Sequence, residues 1–296
     1  MSSTRPVSSL PSSAATAGPA RFTPGVHGGL IVGIVLVALV ILAAVVSLVW
    51  TPHDPYATNA AIRLAGPSSS HLLGTDPLGR DVLSQTMVGA RITLYVGLVS
   101  VGIGLVVGVP AGIWAAMRGG WVSTVFMTGS DILLAFPGLL LAIVLGAAFG
   151  ASTTTAMVAL GIASIPAFAR VARSGALRVL SQDYVLAARV ANRSGWAIAR
   201  DHVLPNIAGM VIVQASVSYA LAVLAEAGLS FMGLGTAPPT PSWGRMLATG
   251  QQFLGSHDYL AVVPGVAIAV AVLGLNLLGD GLRDVMDPRL KQVGDE

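Results

Sequence analysis

Apolar runs of membrane-crossing length recur along this sequence, and they constrain the fold more than any other feature. A helix needs about 20 apolar residues to cross the hydrocarbon core of a bilayer. Windows of that kind occupy Leu30–Val49, Ile92–Met117, Val122–Phe149, Thr154–Phe168, Ile207–Leu234 and Tyr259–Leu282. In lipid every backbone N–H and C=O has to be satisfied inside the chain, so such windows are helical. The sequence therefore predicts an all-α integral membrane protein with six transmembrane helices. The fourth window is short and is expected to continue as helix into the basic residues behind it. Charge usage agrees: charged residues make up 10% of the 296 and hydrophobic residues 54%. A soluble domain carries roughly 25% charged residues, so lipid has to cover most of this surface.

The stretch Met1–His27 is rich in Ser, Ala, Thr and Pro and lacks the apolar pattern that folding requires. It reads as a disordered tail, and the first apolar run, too long for a signal-peptide core, reads as a retained anchor. Basic residues orient the chain, since cytoplasmic loops carry an excess of Lys and Arg. With the amino terminus inside, twelve of them (Arg5, Arg21, Arg118, Arg170, Arg173, Arg178, Arg189, Arg193, Arg200, Arg283, Arg289 and Lys291) fall on the inner side. Four (Arg63, Arg80, Arg91 and Arg245) fall on the outer side. Both termini are then cytoplasmic. The organisation expected is a tail over 1–28, a first span with an outer segment over 29–91, a core over 92–282 with an inner loop over 170–206, and a tail over 283–296. The net charge of +3 reflects this orientation, and no nucleic-acid partner is expected. Without cysteine there is no disulfide, thiol nucleophile or Cys-ligated metal.

The inner segment from Asp183 to Asn206 reads as two short helices. Asp183 is placed to cap the first, which is expected to run to about Ala191. Asn192–Gly195 is a turn signal, Ser194 or Gly195 starts the second helix, and Pro205 suits the first turn of the fifth span. This segment resembles the signature loop of binding-protein-dependent ABC importer permeases, whose pattern is Glu-Ala-Ala, three residues, Gly, nine residues, Ile, any residue and Leu-Pro. Ala187, Ala188, Leu204 and Pro205 match in register. Leu186 stands in place of Glu, Asn192 in place of Gly and His202 in place of Ile. Asn also tolerates a left-handed backbone. The resemblance implies a coupling helix that docks into a groove on a cytoplasmic ATPase, built from Asp183, Tyr184, Ala187, Ala188, Arg189, Asn192, Gly195, Leu204 and Pro205. Alanines make a thin face that seats deeply, and flanking arginines can pair with acidic groups.

Three further motifs lie outside that loop. One runs from His71 to Ser84 and on through Gly89 to Leu94, a second from Glu226 to Gly235 with Pro238–Leu247, and a third from Asn276 to Arg289. Asp76, Arg80 and Asp81 are expected to form an ion-paired scaffold turn. Their spacing fits no calcium loop, so no metal site is expected. The prolines around Trp243 suggest a stiff outer loop with an interfacial aromatic anchor. Asp280, Arg283 and Asp284 are expected to form a salt bridge at the exit of the last span. Together the motifs resemble the second permease of the dipeptide, oligopeptide and nickel importer group. That resemblance implies a type I ABC importer permease fold in the bacterial plasma membrane. It also implies a heterodimer with a second homologous permease, two ATPase domains or subunits, and an extracytoplasmic solute-binding protein. The cargo implied is a di- or oligopeptide, with nickel or glutathione as alternatives.

Ionisable residues inside spans are costly and mark functional candidates. Asp131 and Glu226 are the two such candidates, with a helix-end hydrogen bond as the plain reading of the first and either a backbone tie or a pathway contact for the second. A secondary transporter would need a self-sufficient ion site or an internal repeat, and neither is visible. An intramembrane serine protease would need a Ser and a His within reach on the spans, yet the five His residues fall in loops or at their edges. The only lysine, Lys291, precedes Gln, so the chain has no P-loop and no cofactor is expected.

Overall fold

The computed structural model describes residues 25–286. Its helices, in chain order, are α1 (Gly25–Val49), α2 (Val82–Ile103), α3 (Val109–Arg118), α4 (Gly120–Ala135), α5 (Gly138–Phe149), α6 (Thr153–Leu180), α7 (Asp183–Val190), α8 (Gly195–Ile198), α9 (Leu204–Phe231), α10 (Trp243–Gln251) and α11 (Tyr259–Met286). Wider π-helical turns at Gly104–Gly108 and Ala199–Val203 join α2 to α3 and α8 to α9. Five continuous helical runs are long and apolar enough to cross a membrane, and the bent pair α4–α5 makes a sixth if counted as one span. The all-α, six-span expectation stands in that form. The expected tails lie outside the described residues, except that helix extends from Gly25 and through Met286.

Several window edges move, each for a local reason. Helix α2 starts at Val82 because the Asp81 side chain caps it, accepting from the Ser84 N–H. The polar residues Ser84 and Gln85 are buried by the preceding loop and so belong to the helix. Residue 91 therefore falls inside α2. The run Val82–Arg118 has 37 residues, about 55 Å of helix at 1.5 Å per residue. That exceeds a hydrocarbon core of about 30 Å, so its ends project beyond it.

The third window is broken instead of straight. Pro137 forces Phe136 out of the helical region, to φ −84° and ψ 121°, and the two halves meet at an 80° bend. The fourth window does continue into the basic residues, as α6 runs to Leu180. Helix α10, in the loop 232–258, lies outside every expected window.

Helix α6 is the hub, packing on α2, α3, α4, α5 and α9. Helix α1 lies against α11 and α2, and α11 against α9. The outward faces of the helices are apolar: Ile31, Leu39 and Leu42 on α1 are more than half exposed, as are Leu98, Val106 and Val144 elsewhere. The loop 51–81 meets the start of α11 through the Tyr259 hydroxyl, which donates to Thr75 O at 2.8 Å. It meets α10 through the start of α2, where Trp243 Nε1 donates to Thr86 O at 2.9 Å. The loops 51–81 and 232–258 thus share one end of the bundle, and the α6–α9 connection lies at the other.

Small residues let backbones approach closely where α3 crosses α6. A Cβ on Gly112 would lie 2.2 Å from Ala169 O, and one on Gly108 would lie 2.6 Å from Ile165 O. Replacing Gly112 with Leu is expected to lower stability by about 1–3 kcal/mol through overpacking. Thermal unfolding in detergent should show a reduced melting temperature, whereas Gly129→Leu, with open space around it, should leave it nearly unchanged.

Candidate functional site

The α6–α9 connection is a short helical hairpin laid across one end of the bundle. Gln182 is the N-cap residue of α7, its side chain making no capping bond, and Asp183 is the first helical residue. Asp183 is therefore not the cap expected from the sequence; its carboxylate sits in the first turn, where the helix dipole favours negative charge. Helix α7 ends at Val190, and Asn192 adopts φ 59°, the left-handed turn that its place in the pattern requires. Ser194 caps α8, its Oγ accepting from the Ala197 N–H at 3.2 Å. Pro205 takes the first turn of α9, as the sequence predicts, although helix runs on continuously from Gly195 to Phe231. A proline there removes one helical donor and crowds the preceding turn. The π-helical turn Ala199–Val203 just before it widens the spiral at that point, with the Leu204 N–H bonding Ala199 O.

One apolar peg seats this hairpin. Val185 is fully buried in a cluster with Ile113, Phe168, Ile198, Val203 and Ile207. Ala188 is half-buried against the same cluster, and Tyr184 packs edge-on to His202 with ring centroids 5.9 Å apart. The remaining face is exposed: Tyr184, Leu186, Val190 and Trp196 are open, as is Ala187.

The arginines divide into two groups. Arg200 Nε binds Asp201 Oδ1 at 2.8 Å, with Arg193 at 3.6 Å from the other oxygen. Arg173 donates to Ser123 Oγ at 2.8 Å. Among the described residues Arg189, on the exposed side of α7, has no acidic partner.

Asp131 departs from the helix-end reading. Its carboxylate binds the Arg170 guanidinium at 2.5 Å, joining α4 to α6 across a half-exposed pair. Arg170 was legible as basic, but its partner lies 39 residues away in sequence. Glu226 is almost fully buried. Its Oε1 accepts from Ser230 Oγ at 2.6 Å and from Thr236 Oγ1 at 3.2 Å, and Thr153 Oγ1 donates to Thr236 Oγ1 at 3.1 Å. Glu226 thereby ties the end of α9 to the loop behind it and to the start of α6.

A separate cleft of about 490 Å³ opens at the α4–α5 bend, between that bend, α2, α6 and α9. Its lining is mostly apolar, with Ser100, Ser164, Gln214 and Ser218 as its polar groups. Gln214 Nε2 donates to Ser218 Oγ at 3.0 Å. Sequence reading passed over these four; the signal available was a polar pair at i and i+4 in an apolar run. Glu226 does not line this cleft.

At the opposite end the outer motif is a closed turn. Asp76 Oδ1 accepts from the Leu78 and Arg80 N–H groups, and Oδ2 from Arg80 Nε at 2.7 Å and Gln85 Nε2 at 3.1 Å. Asp81 Oδ2 takes two bonds from Ser84, while Oδ1 lies 2.9 Å from His71 Nδ1 and 3.6 Å from His53 Nδ1. Burial opposes ionisation of Asp81, but the hydrogen bonds from His71 and Ser84 outweigh it and hold the carboxyl below its ordinary range. Trp243 is not an interfacial anchor: it is 3% exposed and wedged against Gly89 of α2. Among the described residues no ion pair joins Arg283 to Asp280 or Asp284, contrary to the expected exit bridge.

Residues 108–292 match the profile of the family described as binding-protein-dependent transport system inner membrane component. The chain is 43% identical over 270 residues to the dipeptide transport system permease protein of Escherichia coli, covering 89% of this chain and 90% of that one. It is 38% identical over 261 residues to the dipeptide transport system permease protein of Alkalihalophilus pseudofirmus, covering 88% and 86%. It is 42% identical over 226 residues to the glutathione transport system permease protein of Pectobacterium atrosepticum, covering 76% and 75%. Among solved structures, a chain of the inward-facing MetNI methionine ABC transporter superposes with a TM-score of 0.55. That match has 20% identity and covers 67% of this chain and 95% of the other. It carries the fold alone.

The Glu226 network makes a measurable prediction. Glu226→Ala leaves the buried hydroxyls of Ser230 and Thr236 without their acceptor, at a cost of about 1–3 kcal/mol. The melting temperature in detergent should fall, and Glu226→Gln, which keeps an acceptor, should fall less. Uptake per folded molecule should stay near wild type in both; a selective loss of uptake would place Glu226 in the transport path.

Proposed function

This chain belongs to the binding-protein-dependent transport system inner membrane components, and on that footing we propose that it is one of two permease subunits of an ATP-driven peptide importer. The carrying observation is the hairpin Asp183–Val203. It is pinned to the bundle by Val185 and turns its remaining apolar face, with Arg189, away from the chain. A helix presented in this way, on a chain with no P-loop of its own, supports docking to a separate ATPase. Two ATPase domains or subunits hydrolyse ATP, a second homologous permease completes the pathway, and a solute-binding protein delivers cargo to the opposite end. The arginine distribution supports a cytoplasmic position for the hairpin and for both termini.

The physical mechanism is a transfer of motion. Closure of the ATPases around nucleotide displaces the docked hairpin, and Val185 carries that displacement into the cluster shared by α3, α6 and α9. The cleft at the α4–α5 bend, apolar with four small polar groups, supports a pathway that holds its cargo weakly. Differential packing of two states does the work, and this subunit contributes no chemical step. Peptide cargo is inferred from the names of the dipeptide permease relatives; glutathione, itself a small peptide, is the second reading, from the Pectobacterium relative.

The hairpin can be tested directly because the chain has no cysteine. Ala187→Cys, on the exposed side of α7, is expected to crosslink to an engineered cysteine on the co-expressed ATPase, with a yield that changes on adding nucleotide. No crosslink from any exposed α7 position, in a complex that otherwise purifies intact, overturns the docking assignment. Uptake of labelled dipeptide against labelled glutathione in proteoliposomes decides the cargo. Arg189→Glu should reduce uptake at least tenfold without lowering the melting temperature.

A further inference from the structure

Three side chains at the outer-motif end converge, and of these only Asp81, the cap of α2, has a role in the reading above. His53 lies just behind α1, His71 in the middle of the following loop, and Asp81 at the N-cap of α2. One ligand atom from each lies within 4.8 Å of the other two. Asp81 Oδ1 is 2.9 Å from His71 Nδ1 and 3.6 Å from His53 Nδ1. The two imidazoles face each other with centroids 4.3 Å apart and planes tilted by 33°. We propose that His53, His71 and Asp81 form a binding site for a divalent cation of the zinc class.

Two of the three separations between ligand atoms are close to what such an ion requires. Metal–ligand distances of about 2.0–2.2 Å in a tetrahedron place neighbouring ligand atoms about 3.3 Å apart. The two observed separations fall on either side of that value. A hydrogen bond from His71 accounts for the shorter contact alone. It leaves unexplained why the His53 imidazole, 41% exposed, turns its Nδ1 to the same carboxylate oxygen. Two imidazole nitrogens and one carboxylate oxygen are a donor set that suits zinc and its neighbours, and not calcium or magnesium.

The Asp81 carboxylate is held from behind by Ser84, and the two histidines are held through their backbones. Ser84 Oγ donates to Asp81 Oδ2 at 2.7 Å and accepts from the His53 backbone N–H at 3.0 Å, so one hydroxyl ties the Asp81 side chain to the His53 backbone. That leaves Asp81 Oδ1 directed at the imidazoles. The His71 N–H donates to Ser68 Oγ at 3.1 Å, and its carbonyl accepts from the Ser68 and Gly74 N–H groups. The exposure of His53 leaves a fourth position open to water. A bound cation clamps the end of α1, the loop and the start of α2 together. The site is independent of what cargo the permease carries.

The test uses the full chain in detergent, stripped with chelator and freed of any affinity tag. Titration with Co²⁺ alone should give the visible absorption of a tetrahedral site at about one equivalent, bleached by added Zn²⁺. His53→Ala should weaken binding at least tenfold. Asp81→Asn keeps a capping acceptor for α2 and should weaken it likewise. His257→Ala, at a histidine outside the cluster, should titrate as wild type. Zn²⁺ should raise the melting temperature of the wild type and not of the first two variants. A wild type without the visible band, or either ligand variant titrating like wild type, overturns the site.

Discussion

Close backbone contact along α6 is the constraint on which the rest of the bundle depends. Lipid tails are as apolar as leucine, so helices gain little from hydrophobic exclusion and associate through tight van der Waals packing. The buried face of α6 is therefore small, with Ala156, Ala159, Ala169, Ala172, Gly175 and Ala176. Gly108 and Gly112 bring α3 onto that face at backbone distance. Phe168 is the one large fully buried side chain on its carboxy-terminal half, and the hairpin peg Val185 sits in the same cluster. The helix that organises the span bundle thus also seats the segment proposed to receive the ATPase.

Irregular helix is concentrated where the two functions meet. The π-helical turn Gly104–Gly108 lies against α6, and the turn Ala199–Val203 stands between the hairpin and α9. Each absorbs a proline, Pro110 or Pro205, that a regular helix would accommodate at the cost of a hydrogen bond. The bend at Pro137 separates α4 from α5 and opens the cleft beside α9. These are the places where a displacement of the hairpin can change packing without unravelling a span.

Much of this was legible from residue patterns. Windows of apolar residues located the spans because a membrane helix is written in consecutive residues. The hairpin was legible from the Ala-Ala pair, the turn at Asn192 and Leu-Pro. What escaped was long-range pairing. Asp131 reads as a helix-end group until Arg170 is brought beside it, and Trp243 reads as an interfacial aromatic until Gly89 makes room for it. His53 and His71 read as loop residues with no common purpose, because nothing in their spacing places both at Asp81.

The sequence by itself determined that the chain is a helical membrane protein, where most spans run, and which connection carries the basic hairpin. These properties depend on local composition and on the energy of moving it into lipid. Only the tertiary structure decided that the third span is bent, that α2 begins at a buried cap, that Glu226 faces the protein interior, and that three loop side chains share one point. Those properties depend on which distant groups satisfy each other once the helices are packed, and that pairing has no signature in consecutive residues.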